Sequence, residues 1–483
     1  MSQYVNLGKR STNLTCNHWG RTPRASGKIC TMNMRLSVLV MVISSLLIGC
    51  GGNEAGSATV SSPKTTGIPL PNNNSTVDPN VSALFQKTVS ELRADMANPK
   101  LWVVHGSALF ANGYYAESAD ALGRAIAINP EMPQATYLMA TALWRANKQE
   151  EAIATLTLAL ELMPQYDMGW RLLAEWHLNR GKTTLAEQAA RKAFELQPRR
   201  IGTRYVLCQA LMDDGKYDDA VVLLEQVIAV DKAPPWIYQL AANCYRQLGD
   251  NDTYEVALAK AGPPFEDWPD PMFKHIPTLI AGKSELTEYA LHLFKTAGSE
   301  KAMPFLLRAF KINPESTDLR VAFSIALQDG GQLQQSRQIL GELTGEPNMN
   351  YWKQYAGVCI ATGELDKAKE YVGNAFALDL VDPNAHDIAA VIALEQGETQ
   401  TAVSHWAQAG KLYNEVEKWN KAEMSLAYAV QNGASGSEVL QSLALAQIKL
   451  NHTLQAKISI KKLLEKNPSD TVALELQSML PQE

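Results

Sequence analysis

Three prolines, Pro130, Pro164 and Pro198, stand 34 residues apart, and this interval limits what the chain can fold into more than any other feature. Between them, apolar residues recur at helical spacing in stretches of about 12 to 15 residues, broken midway by Gly or Asn. A helix this short is marginal alone, and its apolar stripe has nothing to cover it within the unit. Such units must stack on copies of themselves. The expected fold is all-α, a solenoid of helix-turn-helix units.

Each recurring residue has a mechanical reason. An alanine returns near the start of the second helix, at Ala152, Ala186, Ala220, Ala302, Ala368, Ala402 and Ala456, where two helices cross closely and a larger side chain would push them apart. The glycine ends the first helix in a conformation that costs other residues energy. The proline stops the second helix, because the next unit must begin.

The period and these residues resemble the tetratricopeptide repeat. In the first unit, LWVVHGSALFANGYYAESADALGRAIAINP, residues Trp102, Gly106, Gly113, Tyr115, Leu122, Ala125 and Pro130 fall on the family's positions. In the third, Trp170, Leu173, Gly181, Ala186, Ala193 and Pro198 do so, and in the fourth Gly215, Tyr217 and Ala220. The resemblance implies a tetratricopeptide α-solenoid of about ten repeats over residues 84–480, some degenerate. It also implies that the first helices of the repeats line a concave groove.

Proline spacing locates two irregularities. Pro198 and Pro314 lie 116 residues apart, three periods plus 14, and the excess falls in GPPFEDWPDPMFKHIP. This stretch is expected to divide the array into residues 84–262 and 283–480, with 263–282 a flexible proline-rich interruption. Pro314 and Pro468 lie 154 residues apart, four periods plus 18. The extra half-unit is assigned to an odd helix near Trp419–Gln431.

The N-terminal region follows different rules. Leu36–Ile48 is an uncharged apolar run of thirteen residues, whereas a membrane-spanning helix needs about 20. A short basic approach at Arg35 and a small-residue exit at Gly49 have the order of a secretory signal. Leu47-Ile48-Gly49-Cys50 resembles the bacterial lipobox, which implies cleavage before Cys50 and lipid attachment to it. In lipoproteins an aspartate after that cysteine favours the inner membrane. Gly51 stands there, so the periplasmic face of an outer membrane is expected if the organism has one. Residues 1–49 are thus expected to be a signal region, with translation starting at Met32 or Met34. Residues 50–83 are expected to be the lipidated cysteine and a disordered tether, since Gly51–Asn80 carries only Glu54, Lys64 and Asp78 as charged side chains. Thirty such residues reach on the order of 30 Å.

Without residues 1–49 the chain keeps 38 basic and 50 acidic groups, a formal charge of −12. A surface of that sign repels nucleic acid phosphates and anionic lipid. Of six cysteines, Cys208, Cys244 and Cys359 remain beside Cys50. Three widely spaced thiols do not make a disulfide framework and read as buried apolar residues. No cofactor and no metal is expected. The histidines lack H-E-x-x-H spacing, and there is no G-x-S-x-G or phosphate-binding loop. His105, where the family usually has Leu, is expected to pack in the core. DDGKYDD at 213–219 lacks the ligand spacing of a calcium loop, and Asp218 and Asp219 suit a helix N-terminus instead.

A groove of this family would draw its chemistry from the first helices. Tyr137, Thr141, Trp144 and Arg145 share one face of one helix, and Arg171 and Tyr205 hold the equivalent first position in the next two repeats. Aromatic platforms beside arginines suit a partner's extended segment, so Tyr137, Trp144, Arg145, Arg171 and Tyr205 are candidate partner-binding residues. The alternative is that Trp144 packs against a neighbouring helix. Val103 and Ser107 occupy two positions where chaperone-binding members carry a carboxylate clamp, which disfavours that ligand. The whole resembles bacterial tetratricopeptide lipoproteins. That resemblance implies a non-enzymatic, membrane-anchored scaffold of the cell envelope, its partners other proteins of envelope assembly or export machinery, with no nucleic acid ligand. A polysaccharide-binding or export-complex module is the alternative.

Overall fold

The computed structural model describes residues 67–71, 77–229, 233–262 and 270–480. The expected signal region, Cys50 and most of the tether lie outside the described residues. Among the described residues there is no strand, and the helices fall into two compact units that part between Gly282 and Lys283.

The first unit opens with helix α1 (Pro79–Ala94), started by Asp78, whose carboxylate accepts the Asn80 N–H at 2.7 Å. Five helix hairpins follow. They are α2 (Pro99–Ala111) with α3 (Tyr115–Ile128), α4 (Pro133–Arg145) with α5 (Gln149–Leu162), and α6 (Asp167–Asn179) with α7 (Thr183–Leu196). Then come α8 (Ile201–Asp213) with α9 (Tyr217–Ile228) and α10 (Pro235–Leu248) with α11 (Asn251–Leu258). Pro130, Pro164 and Pro198 each stand two residues beyond the end of a second helix, at the turns they were expected to make. Gly181 turns α6 into α7 at φ +64°, and Asn147 holds the same left-handed slot one repeat earlier at φ +62°.

The hairpin crossing is as tight as the alanine pattern predicts. Ala152, Ala186, Ala220, Ala302, Ala368, Ala402 and Ala456 are all fully buried. On the first helix the matching small residue is Gly106, where an added Cβ would lie 2.7 Å from Leu122 Cγ.

The second unit contains α12 (Lys283–Ala297) with α13 (Ser299–Ile312), α14 (Thr317–Asp329) with α15 (Leu333–Gly341), and α16 (Met349–Ala361) with α17 (Leu365–Leu378). It continues through α18 (Pro383–Glu395), α19 (Thr399–Glu415) and α20 (Trp419–Gln431), then α21 (Ser437–Lys449), α22 (Thr453–Lys466) and α23 (Thr471–Ser478). The stretch expected as an odd helix is α20, but α20 is not solitary. Trp406, Gly410 and Leu426 repeat the spacing of Trp102, Gly106 and Leu122, so α19 is the first helix of a hairpin with α20. Helix α19 is also the second helix to α18, with Ala402 in the alanine slot. The half-unit excess arises because this 17-residue helix serves two hairpins.

The stretch expected as a flexible divider has a structured second half. Residues 270–282 carry two 3-10 turns, Pro271–Phe273 and Ile276–Leu279, and lie against the first unit. Residues 263–269 are outside the described residues. Prolines predict where helices stop, and here they prepare a strap that finds partners on the helices behind it.

The crossing makes a paired prediction. A Cβ on Gly410 would sit 2.3 Å from Leu426 Cγ, whereas one on exposed Gly373 of α17 meets nothing within 4 Å. Gly373→Ala should stabilise by about 0.5–1 kcal/mol through helix propensity alone. Gly410→Ala should lose that gain to overpacking and destabilise by about 1–3 kcal/mol. Urea unfolding of the two variants checks the opposite signs.

Candidate functional site

The first helices of successive hairpins set their inward side chains in one line along the first unit. On α4, Tyr137 is fully buried, and one to two turns on, half-buried Trp144 stacks flat on Trp176 of α6, centroids 4.5 Å apart and planes 2° from parallel. Buried Arg171 of α6 pairs with Glu175 one turn along the same helix. Burial raises the Glu175 carboxyl above its ordinary range, and Arg171 opposes that shift. On α8, Tyr205 meets Trp236 of α10 edge-on at 5.2 Å, and its hydroxyl accepts from Gln209 Nε2 at 2.9 Å. Arg145 is exposed at the end of α4. The electrostatic neighbours run in the same order, Tyr137 beside Arg171 and Glu175 beside Tyr205.

The strap crosses the start of this line. Asp270 accepts from the Tyr137 hydroxyl at 2.6 Å and from the Tyr166 hydroxyl, and caps its own turn by accepting the Met272 N–H at 2.9 Å. Burial, then the neighbouring carboxylate, raises both tyrosine hydroxyls. Phe273 lies parallel to Phe110 of α2 at 6.0 Å and tilted against Tyr137 at 5.6 Å. At the end of α2, Asn112 donates to the Leu279 carbonyl at 2.9 Å and accepts the N–H groups of Ala281 at 2.9 Å and Gly282 at 3.3 Å. His105 is fully buried as expected of a core residue, bonded to Thr88 Oγ1 and to the Pro69 carbonyl, both at 2.8 Å. Pro69 thus also touches α2.

The tetratricopeptide repeat family model matches residues 109–175 and 211–269. These stretches are tetratricopeptide repeats. The fold of the described residues is the corresponding α-solenoid, and such repeats generally mediate protein–protein interaction, typically as non-enzymatic scaffolds. Among solved structures, the chain is similar to the APC/C hetero-tetramer Cut9-Hcn1 at 12% identity, covering 83% of this chain and 93% of that one, TM-score 0.25. It is similar to MamA at 18% identity, covering 37% and 88%, TM-score 0.29. It is also similar to Pseudomonas aeruginosa pilF at 15% identity, covering 41% and 96%, TM-score 0.25. No curated protein matches the sequence.

Of the five candidate groove residues, the tetratricopeptide array sets Tyr137, Arg171 and Tyr205 on one line, joins Trp144 to it through Trp176, and leaves Arg145 exposed. Sequence reasoning missed Asn112, Tyr166, Trp176 and Glu175, and read Asp270 and Phe273 only as part of a proline-rich break. Cys208, Cys244 and Cys359 are free and buried, and burial pushes their thiols up to about 12, 11 and 11. Among the described residues no three His, Cys, Asp or Glu side chains converge as a metal site. No described helix is long and apolar enough to cross a membrane.

The second unit carries a polar cluster that the sequence did not announce. Asp387 of α18 keeps some exposed surface, but its carboxyl is turned inward, accepting from Ser425 Oγ of α20 at 2.7 Å and from the Tyr413 hydroxyl of α19. Lys421 sits 5.1 Å over the Tyr413 ring, and Lys353 of α16 bonds Asp382 at 3.0 Å. Burial pushes Asp387 up to about 7 from 3.8 and Lys421 down to about 8 from 10.5, the latter helped by Lys418. A raised carboxyl contributes stability that is lost as pH climbs toward 7, and a lowered ammonium restores stability as pH climbs beyond 8. Urea stability should therefore dip between about pH 7 and 8. Asp387→Asn should flatten the acid side of the dip, and Lys421→Met the alkaline side.

Proposed function

We propose that this chain is a lipid-anchored, non-enzymatic scaffold of the bacterial cell envelope, held through Cys50 and binding partner proteins on the inner face of its first tetratricopeptide unit. The observation that carries the reading is the continuous line of Trp144–Trp176, Arg171–Glu175 and Tyr205–Trp236 contacts on successive hairpins. Aromatic and arginine side chains dominate binding energy at protein interfaces because each desolvates a large surface yet keeps a directional polar group. The anchor is supported by Leu47-Ile48-Gly49-Cys50 directly after a thirteen-residue apolar run. Acylation with more than one chain gives stable membrane attachment. The tether then lets the repeats reach partners on the periplasmic side of an outer membrane, where the organism has one.

Two measurements check the two halves of the reading. Cys50→Ser should move the protein from the membrane to the soluble fraction, and unchanged retention defeats the anchor. Trp144→Ala should cost about 2 kcal/mol, some thirtyfold in partner affinity, with helical signal and melting temperature nearly constant, whereas Arg171→Ala should weaken binding and also lower the melting temperature, because it leaves the Glu175 carboxyl without its partner. A Trp144→Ala variant that unfolds assigns Trp144 to the core. Normal binding by both folded variants moves the partner to another face. Copurification of a polysaccharide in place of a protein would favour a sugar-polymer-binding or export module.

A further inference from the structure

We propose that residues 270–282 are a built-in occupant of the first unit's inner face. A partner docks there by presenting a segment of the same chemistry, a carboxylate followed three residues later by an aromatic ring, and displaces the strap. The proposal rests on the reading that this face binds protein.

The strap is held as a peptide ligand is held. Two of its side chains, Asp270 and Phe273, make directional contacts, and Ile276 is buried in the first unit's core. The Asp270 carboxylate sits in a cradle of two tyrosine hydroxyls from α4 and the turn before α6. The Phe273 ring fills a slot walled by Phe110 and Tyr137. The third contact is independent of side-chain identity, because Asn112 pairs with the backbone at Leu279, Ala281 and Gly282. Between Asp270 and Phe273, Met272 packs against the core. Pro271, Lys274, His275 and Thr278 are exposed, and Ile276 is the buried side chain.

The cradle selects for charge. Two hydroxyls of adjacent hairpins converge on one carboxylate, and Arg171 is an electrostatic neighbour of Tyr137. An amide or hydroxyl at that point would leave a donor facing a donor or forgo the charge-assisted bond. The ring slot selects for a flat apolar group, since parallel offset stacking against Phe110 requires one. The spacing between the two anchors is one turn of 3-10 helix, started by the carboxylate itself through the Met272 N–H. A free segment carrying both groups at that spacing meets the strap's two directional side-chain contacts.

Being covalently attached, the strap competes at a high effective concentration, so a free segment binds wild-type protein more weakly than it binds the uncovered face. The probe is a labelled synthetic peptide, DPMFKHIPTLIAG, corresponding to residues 270–282, titrated by fluorescence anisotropy into the full chain. The Asp270→Ala/Phe273→Ala variant, with helical signal and melting temperature checked, should bind the peptide at least about tenfold more tightly than wild type. Adding Tyr137→Phe should reverse most of the gain, and a peptide with its own Asp and Phe replaced by Asn and Ala should not bind. In wild-type protein, hydrogen exchange should open the strap's amides well before those of α4. Equal binding by wild type and the folded variant overturns the proposal, as does equal binding by the substituted peptide. Strap amides as protected as those of α4, or unfolding of the variant, also overturn it and make the strap a fixed part of the fold. Partner capture that still depends on Trp144 and Arg171 after any of these results leaves the scaffold reading standing.

Discussion

The close crossing of two helices within a hairpin is the contact on which the other features depend. A glycine or alanine on one helix must face a leucine of the other at van der Waals range, as Gly106 faces Leu122 and Gly410 faces Leu426. Once the helices are that near, their outward stripes are fixed in direction, and the next hairpin can cover them only at one register. Helix α19 shows how far the rule extends. It carries Ala402 in the slot that faces a preceding first helix and Gly410 in the slot that faces a following second helix. Eight residues apart, the two lie about 80° apart around the helix, so α18 and α20 can each pack closely without competing for one face. Its 17 residues give both crossings room.

The same geometry persists where the sequence signature fades. Trp102 donates its indole N–H to the Met96 carbonyl at 2.8 Å, and Trp170 to that of Pro164 at 2.9 Å, each six residues back. At the equivalent position Arg204 donates to Pro198 at 3.1 Å, Arg320 to Pro314 at 2.7 Å, and His386 bonds the Leu380 carbonyl at 3.1 Å. What the position demands is a long, partly apolar side chain with a terminal N–H, and three residue types meet it. A reading keyed to tryptophan loses those repeats, whereas one keyed to a small buried residue at the crossing keeps them, alanine in most hairpins and serine at Ser118 and Ser336.

Turn residues explain the remaining misreading. Most left-handed turns here are glycine, but Glu417, between α19 and α20, takes φ +55°. Without a glycine or proline there, nothing local marked α19 as the end of one hairpin and the start of another, so the excess half-unit fell to α20. The strap was hidden for a different reason. Five prolines between Pro263 and Pro277 state that helices cannot continue. They do not state that Asp270 will meet Tyr137, which is 133 residues away. Local pattern carries no information about a contact made by a single carboxylate across that separation.

The inner face of the first unit is therefore furnished before any partner arrives. Arg171 has Glu175, Trp144 has Trp176, Tyr205 has Trp236, and Tyr137 has Asp270. A buried polar group is costly without a partner, and Tyr137 and Arg171 are buried. The rise of the Glu175 carboxyl and of the Tyr137 hydroxyl is the electrostatic trace of that enclosure. A ligand on such a surface gains little by filling empty space. On the proposed docking reading it would exchange contacts, carboxylate for carboxylate and ring for ring, so selectivity would follow from the groups already paired there.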